Sequence, residues 1–157
     1  MQFNILLVSS VLCQCRVNMR KEIRELSIDE LWAYLDAAKK IHSTEELTYF
    51  TKKHYENAKS THGTPEFLPW HRVFLNDYEK KLKQMNPKAS LPYWEWSKDY
   101  EFPHSSVVFG EKYLGGDGDA KNNYCVRNGP FANMTVSFPN KHCLRRNFAD
   151  KIGRAHV

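Results

Sequence analysis

No run of eighteen apolar residues occurs in this 157-residue chain, so the sequence predicts no membrane-spanning helix. No basic stripe of five to eight residues occurs either. Lysines and arginines alternate with acids, as in KEIRE (21–25) and DYEKKLK (77–83). The net charge of +5 therefore reads as a solvated surface, and nucleic acid is set aside as a partner. There is no internal repeat. None of the four cysteines, Cys13, Cys15, Cys125 and Cys143, belongs to a CxxC pair, which removes the redox and zinc motifs built on that spacing. No two of the seven histidines (42, 54, 62, 71, 104, 142 and 156) stand four apart.

What is present fits one globular domain: 41% hydrophobic and 26% charged residues, with aromatics concentrated between Tyr49 and Phe109. Residues 2–13, QFNILLVSSVLC, are too short to span a bilayer and have the length of a signal-peptide apolar region. That run lacks the usual positive flank and a clean cleavage site, so a truncated signal and a complete one both fit. Cys125 and Cys143 flank a loop-rich segment. Paired, they close a loop of about 19 residues and stabilise by about 3 kcal/mol on the chain-entropy argument. With the apolar start and the sequon Asn133-Met134-Thr135, they favour an oxidising, secretory location.

Three helices are legible. Ser27 and Glu30 form a capping box, Leu26 and Leu31 are placed to staple it, and Ile28, Leu31, Trp32, Leu35 and Ala38 recur at helical spacing to about Lys40. A second box, Ser43 with Glu46, opens a helix whose inward stripe is Leu47, Phe50 and His54. The segment 60–65 (STHGTP) breaks it. Phe67-Leu68-Pro69-Trp70 leads into the third helix, with Pro69 tolerated in the first turn and His71, Phe74, Leu75, Tyr78 and Leu82 sharing a face. Pro87 ends it. From Ser97 to Phe148 the sequence predicts mostly loop, too irregular to cover the apolar helix faces.

His54, His62 and His71 follow one another at separations of eight and nine. If the second and third helices pack antiparallel, their inward histidines converge and the bend supplies His62. Three neutral imidazoles suit copper, zinc, iron or nickel, with copper highest in the affinity order. Trp70, Arg72 and Glu79 are placed to orient them. Spacing alone leaves a metal site and ordinary core or surface histidines both open. His42, His104, His142 and His156 read as ordinary.

The segment HGTPEFLPWHRVFLNDYE (62–79) closely resembles the copper-A signature of the tyrosinase family, HG…FLPWHR…L…E. RKEIRELSIDE, LPYWEWSKD, SSVVFGEKYLGGDG, CVRNGPFAN and HCLRRNF extend the likeness over residues 16–148, in the style of fungal and invertebrate members. The resemblance implies a mainly α fold, part of the antiparallel four-helix bundle of type-3 copper proteins, with a long irregular loop. It implies copper A held by His62 and His71. The first ligand is His54, in YFTKKHYEN, with His42 as the alternative. Ser60 replaces the cysteine that in some members forms a thioether. Glu79 and Arg72 become supporting or structural residues, or a surface ion pair, and Trp94 and Trp96 core packing. The implied activity is phenol oxidation: monophenols and o-diphenols to o-quinones with dioxygen. Reversible oxygen carriage, as in molluscan haemocyanins, and an inactive half-site are the alternatives.

The sequence departs from the family in one respect. A second copper takes three further histidines, two of them four apart on one helix, and these are absent. Residues 16–150 therefore read as the N-terminal half of a copper-binding domain, preceded by the signal-like residues 1–15. The tail at 151–157 includes IGRAHV, which looks like a translated sequencing adapter.

Overall fold

The computed structural model describes residues 19–148. The signal-like segment 1–15, the tail 151–157, Cys13, Cys15 and His156 lie outside them. Three helices dominate: α1 (Ile28–His42), α2 (Glu45–Thr61) and α3 (Phe67–Met85). The fold is mainly α, as the sequence predicts, and among the described residues no helix is long and apolar enough to cross a membrane.

The caps explain where the helices begin. Ser27 Oγ accepts from the Glu30 N–H and Glu30 Oε2 accepts from the Ser27 N–H, a complete capping box. The second predicted box does not form. α1 continues past Lys40 to His42, so Ser43 becomes its C-cap and donates its N–H to the carbonyls of Lys39 and Lys40. Thr44 then caps α2 instead, its hydroxyl accepting from the Glu46 N–H at 3.3 Å. Pro69 is the third residue of α3, where a missing N–H leaves no intrahelical bond unmade.

The core joins Leu35, Ala37, Ala38 and Ile41 of α1 to Leu82 of α3, with Ala89 and Phe131 from outside the helices. Alanines on α1 let its neighbours approach closely. The predicted α1 stripe is partly wrong: Ile28 and Trp32 are 76% and 66% exposed. They stand one turn apart on an edge that no other described element covers, while Leu31, Tyr34, Leu35, Ala38 and Ile41 face inward. Leu75 likewise lies off the buried face of α3, and Glu79 is inside it.

The segment after residue 96 is a chain of short 3-10 turns and two minimal antiparallel ladders, β1 (Gly118–Asp119) with β2 (Cys125–Val126), and β3 (Thr135–Val136) with β4 (His142–Cys143). The Cys125–Cys143 disulfide ties one ladder to the other. Gly118 is required there: an added Cβ would lie 1.8 Å from the Tyr124 carbonyl oxygen. This loop does cover part of the helices, contrary to expectation. Phe131, Leu114, Met134 and Leu144 pack on the α1–α3 core. The segment that buries them is built of short turns and two minimal ladders joined by the disulfide, with no long regular element.

Residues 91–96 run beside the N-terminal segment. The Ile23 N–H donates to the Tyr93 carbonyl and the Tyr93 N–H to the Lys21 carbonyl, at 2.9 and 3.0 Å. Buried Glu22 accepts from the Arg24 backbone and guanidinium, and Arg24 reaches Asp99. Trp94 is half-buried and donates its indole N–H to Asp99, in keeping with a packing role. Trp96 is not core: it is 62% exposed.

Candidate metal centre

The α2–α3 pair is antiparallel, as its side-chain ladder shows. Glu46 meets Lys81, Phe50 meets Tyr78 and Phe74, Lys53 meets Asp77, and His54 meets His71. Later residues of α2 thus pair with earlier residues of α3. The turn between them is short because His62 ends α2 in an extended conformation and Gly63 follows at φ 71°, a left-handed angle suited to glycine. The His62 N–H still donates to the Ala58 carbonyl, which fixes the imidazole at the mouth of the hairpin.

Three imidazoles meet there. One ligand-capable nitrogen from each of His54, His62 and His71 lies within 4.8 Å of the other two. His54 Nε2 and His71 Nε2 are 3.3 Å apart, and ring centroids are separated by 5.1 to 5.4 Å. His71 Nδ1 sits 2.7 Å from the Phe67 carbonyl oxygen. That oxygen can only accept, so Nδ1 carries the proton and Nε2 presents its lone pair to the cluster. Burial, and then repulsion from His62 and His71, hold the His54 pKa below the ordinary histidine value. His54 is therefore neutral at neutral pH, the state a metal ligand requires.

The donor set fits a metal ion of the copper or zinc type. Two imidazole nitrogens on one ion at about 2.0–2.1 Å in tetrahedral geometry stand about 3.3 Å apart, the spacing of His54 and His71. One wall is aromatic: Trp70 lies 4.8 Å from His71 and stacks on Phe74, Phe74 lies 5.7 Å from His54, and Phe67 lies 4.4 Å from His71. His62 is solvent-exposed, so the cluster opens outward on that side.

The remaining candidates fall elsewhere. His42 packs on Phe131 and meets Met134 Sδ through Nδ1 at 2.7 Å. His142 Nδ1 contacts the Cys143 carbonyl, and His104 is an exposed neighbour of Phe102. Of the three supporting residues, Trp70 touches the cluster. Arg72 is exposed and lines a separate cavity of about 550 Å³ with Arg20, Val73, Asn76 and Glu79. Glu79 forms no surface pair with Arg72. It is 2% exposed, accepts from Arg20 Nε and Nη2 through Oε2, and accepts from the Leu91 N–H. The Phe67 carbonyl is the contact missed in the sequence, although its position four residues before His71 in a first helical turn is a legible signal.

Comparison with known proteins agrees with this geometry. The common central domain of tyrosinase matches residues 34–155, a span that contains all three histidines. A tyrosinase-like protein of Caenorhabditis elegans is 35% identical over 117 residues, covering 72% of this chain and 16% of that protein. The tyrosinase of Streptomyces antibioticus is 30% identical over 131 residues, covering 78% of this chain and 47% of the relative. A tyrosinase-like protein of Diaporthe leptostromiformis is 30% identical over 158 residues, covering 83% and 42%. The chain thus spans less than half the length of each of these relatives. A match over most of the chain's own length, with the three-histidine cluster inside it, places this chain in the tyrosinase family.

Proposed function

We propose that His54, His62 and His71 hold one copper ion, and that this site is one half of a two-copper centre oxidising phenols to o-quinones with dioxygen. The observation that carries the reading is the convergence of three imidazole nitrogens within 4.8 Å. Bound copper would supply the redox chemistry toward dioxygen and the phenol. The chain's own residues do the rest. The Phe67 carbonyl fixes the His71 tautomer, the depressed pKa keeps His54 neutral, and Trp70 and Phe74 exclude water from one side.

The open side at His62 is where a second ion and a small phenol would approach, with the second ion's ligands supplied from outside these 157 residues. The partners on this reading are a phenolic small molecule and dioxygen. The Cys125–Cys143 bond supports folding in an oxidising, secretory compartment.

Copper titration of the purified chain tests this. It should bind one copper per chain through nitrogen ligands, and it should not form quinone from a catechol. Equal copper uptake by a His54→Ala, His71→Ala double variant would sink the ligand assignment. Oxygen-dependent quinone formation by the chain alone would sink the half-site reading.

A further inference from the structure

We propose that Asn133 carries an N-linked oligosaccharide when the chain passes through the secretory pathway. Asn133-Met134-Thr135 is the only Asn-X-Ser/Thr triplet in the 157 residues, and its middle residue is not proline. A triplet is common without being used; here the fold presents it. The strand-like alternation entering β3 turns Met134 inward, onto the helix core and His42, while Asn133 and Thr135 are exposed on the other side.

The backbone around the triplet is fixed. The Asn133 N–H donates to the Val126 carbonyl at 3.0 Å, the Leu144 N–H donates to the Met134 carbonyl at 2.7 Å, and Thr135 pairs with Cys143. Asn133 sits at φ 57°, a left-handed angle that asparagine tolerates better than most residues. Its Oδ1 accepts from Arg127 Nη1 at 2.9 Å, so the side-chain oxygen rather than Nδ2 is the atom engaged there. The triplet lies inside the loop closed by Cys125–Cys143, so the oxidising compartment that suits this disulfide is also the one where such glycans are added.

The reaction is a group transfer. A bond forms between Asn133 Nδ2 and the anomeric carbon of a lipid-diphosphate-linked oligosaccharide. The bond from that carbon to the diphosphate breaks, and the amide releases one proton. Met134 and Thr135 also line a cavity of about 1380 Å³ with His42 and Phe131. A glycan beside them would stand at its rim. None of His54, His62 and His71 lines that cavity.

The test is expression of the full chain behind a cleavable leader in a eukaryotic cell, with chain recovered from lysate and medium together. PNGase F turns a glycosylated asparagine into aspartate, so peptide mass spectrometry should read aspartate at 133 only after treatment. The gel shift should be lost in Thr135→Ala, which leaves Asn133 and its backbone angle in place, and kept in Thr135→Ser. Leader-cleaved wild-type chain with an unmodified Asn133 would overturn the proposal, as would a shift that survives Thr135→Ala.

Discussion

His71 donates its Nδ1 proton to the carbonyl of Phe67, one turn earlier on the same helix, at 2.7 Å. The helix that carries His71 thereby also selects its tautomer, and Nε2 is left 3.3 Å from His54 Nε2. Losing an outer partner of this kind typically costs about 10–100-fold in metal affinity, so losing the ligand itself should cost at least about 100-fold. His71→Ala and His54→Ala should each weaken copper by that factor in a chelator competition titration. Affinity within threefold of wild type would remove the residue from the site.

His42 provides the matched control. It stands next to Met134 and Phe131, away from the cluster. His42→Ala should leave copper stoichiometry and affinity unchanged, and a loss equal to that of His54→Ala would show that the first ligand had been misplaced.

The helices and the hairpin were legible because each rests on local chemistry. Ser27 and Glu30 satisfy one another's backbone, Pro69 lies where it costs nothing, and Gly63 permits the turn that brings His62 between His54 and His71. The choice between His54 and His42 was open in the sequence because the spacing of the first ligand varies in the family. The α2–α3 hairpin brings His54 beside His62 and His71, while the end of α1 sets His42 against Phe131 and Met134. The Arg20–Glu79 pair, 59 residues apart, was illegible for the same reason: long-range partners leave no periodic trace. Phe131 and Leu144 pack on the helix core from a segment without periodic patterning, so their contacts were not legible although the Cys125–Cys143 pairing was.

Glu79 is a buried carboxylate whose partners come from two distant segments. It is 2% exposed and joins α3 to Arg20 and to the Leu91 N–H, while Arg20 keeps 33% exposure. Glu79→Ala leaves Arg20 unpaired and Leu91 without an acceptor. Because Arg20 can still be hydrated, the cost should fall near the low end for a broken buried pair, about 2–3 kcal/mol. Urea unfolding measures it, and a change below about 0.5 kcal/mol, the scale of ordinary surface substitutions, would mean that water replaces the carboxylate.

The Cys125–Cys143 bond spans a sequence separation of 18 and holds both ladders. A Cys125→Ala, Cys143→Ala double variant should lose about 3 kcal/mol by the loop-entropy argument. The loss should appear first as loosening of the loop, read by hydrogen exchange at the Leu144 and Val126 amides, which donate to the Met134 and Leu144 carbonyls. The histidine cluster lies on α2 and α3, so copper stoichiometry should hold at temperatures where the helices stay folded. Unchanged exchange in the loop would show that its packing, not the bond, orders it.

Acid should act through the Glu22–Arg24–Asp99 network. Burial raises the Glu22 pKa, but hydrogen bonds from the Arg24 side chain and backbone and from the Glu95 N–H outweigh it and leave the value lowered. Asp99 is lowered first by the Trp94 indole, against burial, and then by Ser106 and Arg24. A carboxylate with a depressed folded pKa binds fewer protons folded than unfolded. Its stabilisation is therefore present above the ordinary carboxylate range and is lost as pH falls through the folded value. The urea midpoint should begin to fall below about pH 6.5, where unfolded His54 and His42 take up protons that their lowered folded values refuse, and the carboxylates should add a further fall below about pH 4. Arg24→Gln should lower the midpoint at neutral pH and flatten the acid limb, because both carboxylates lose the same cation. An acid limb as steep in Arg24→Gln as in the wild type would place the acid sensitivity elsewhere.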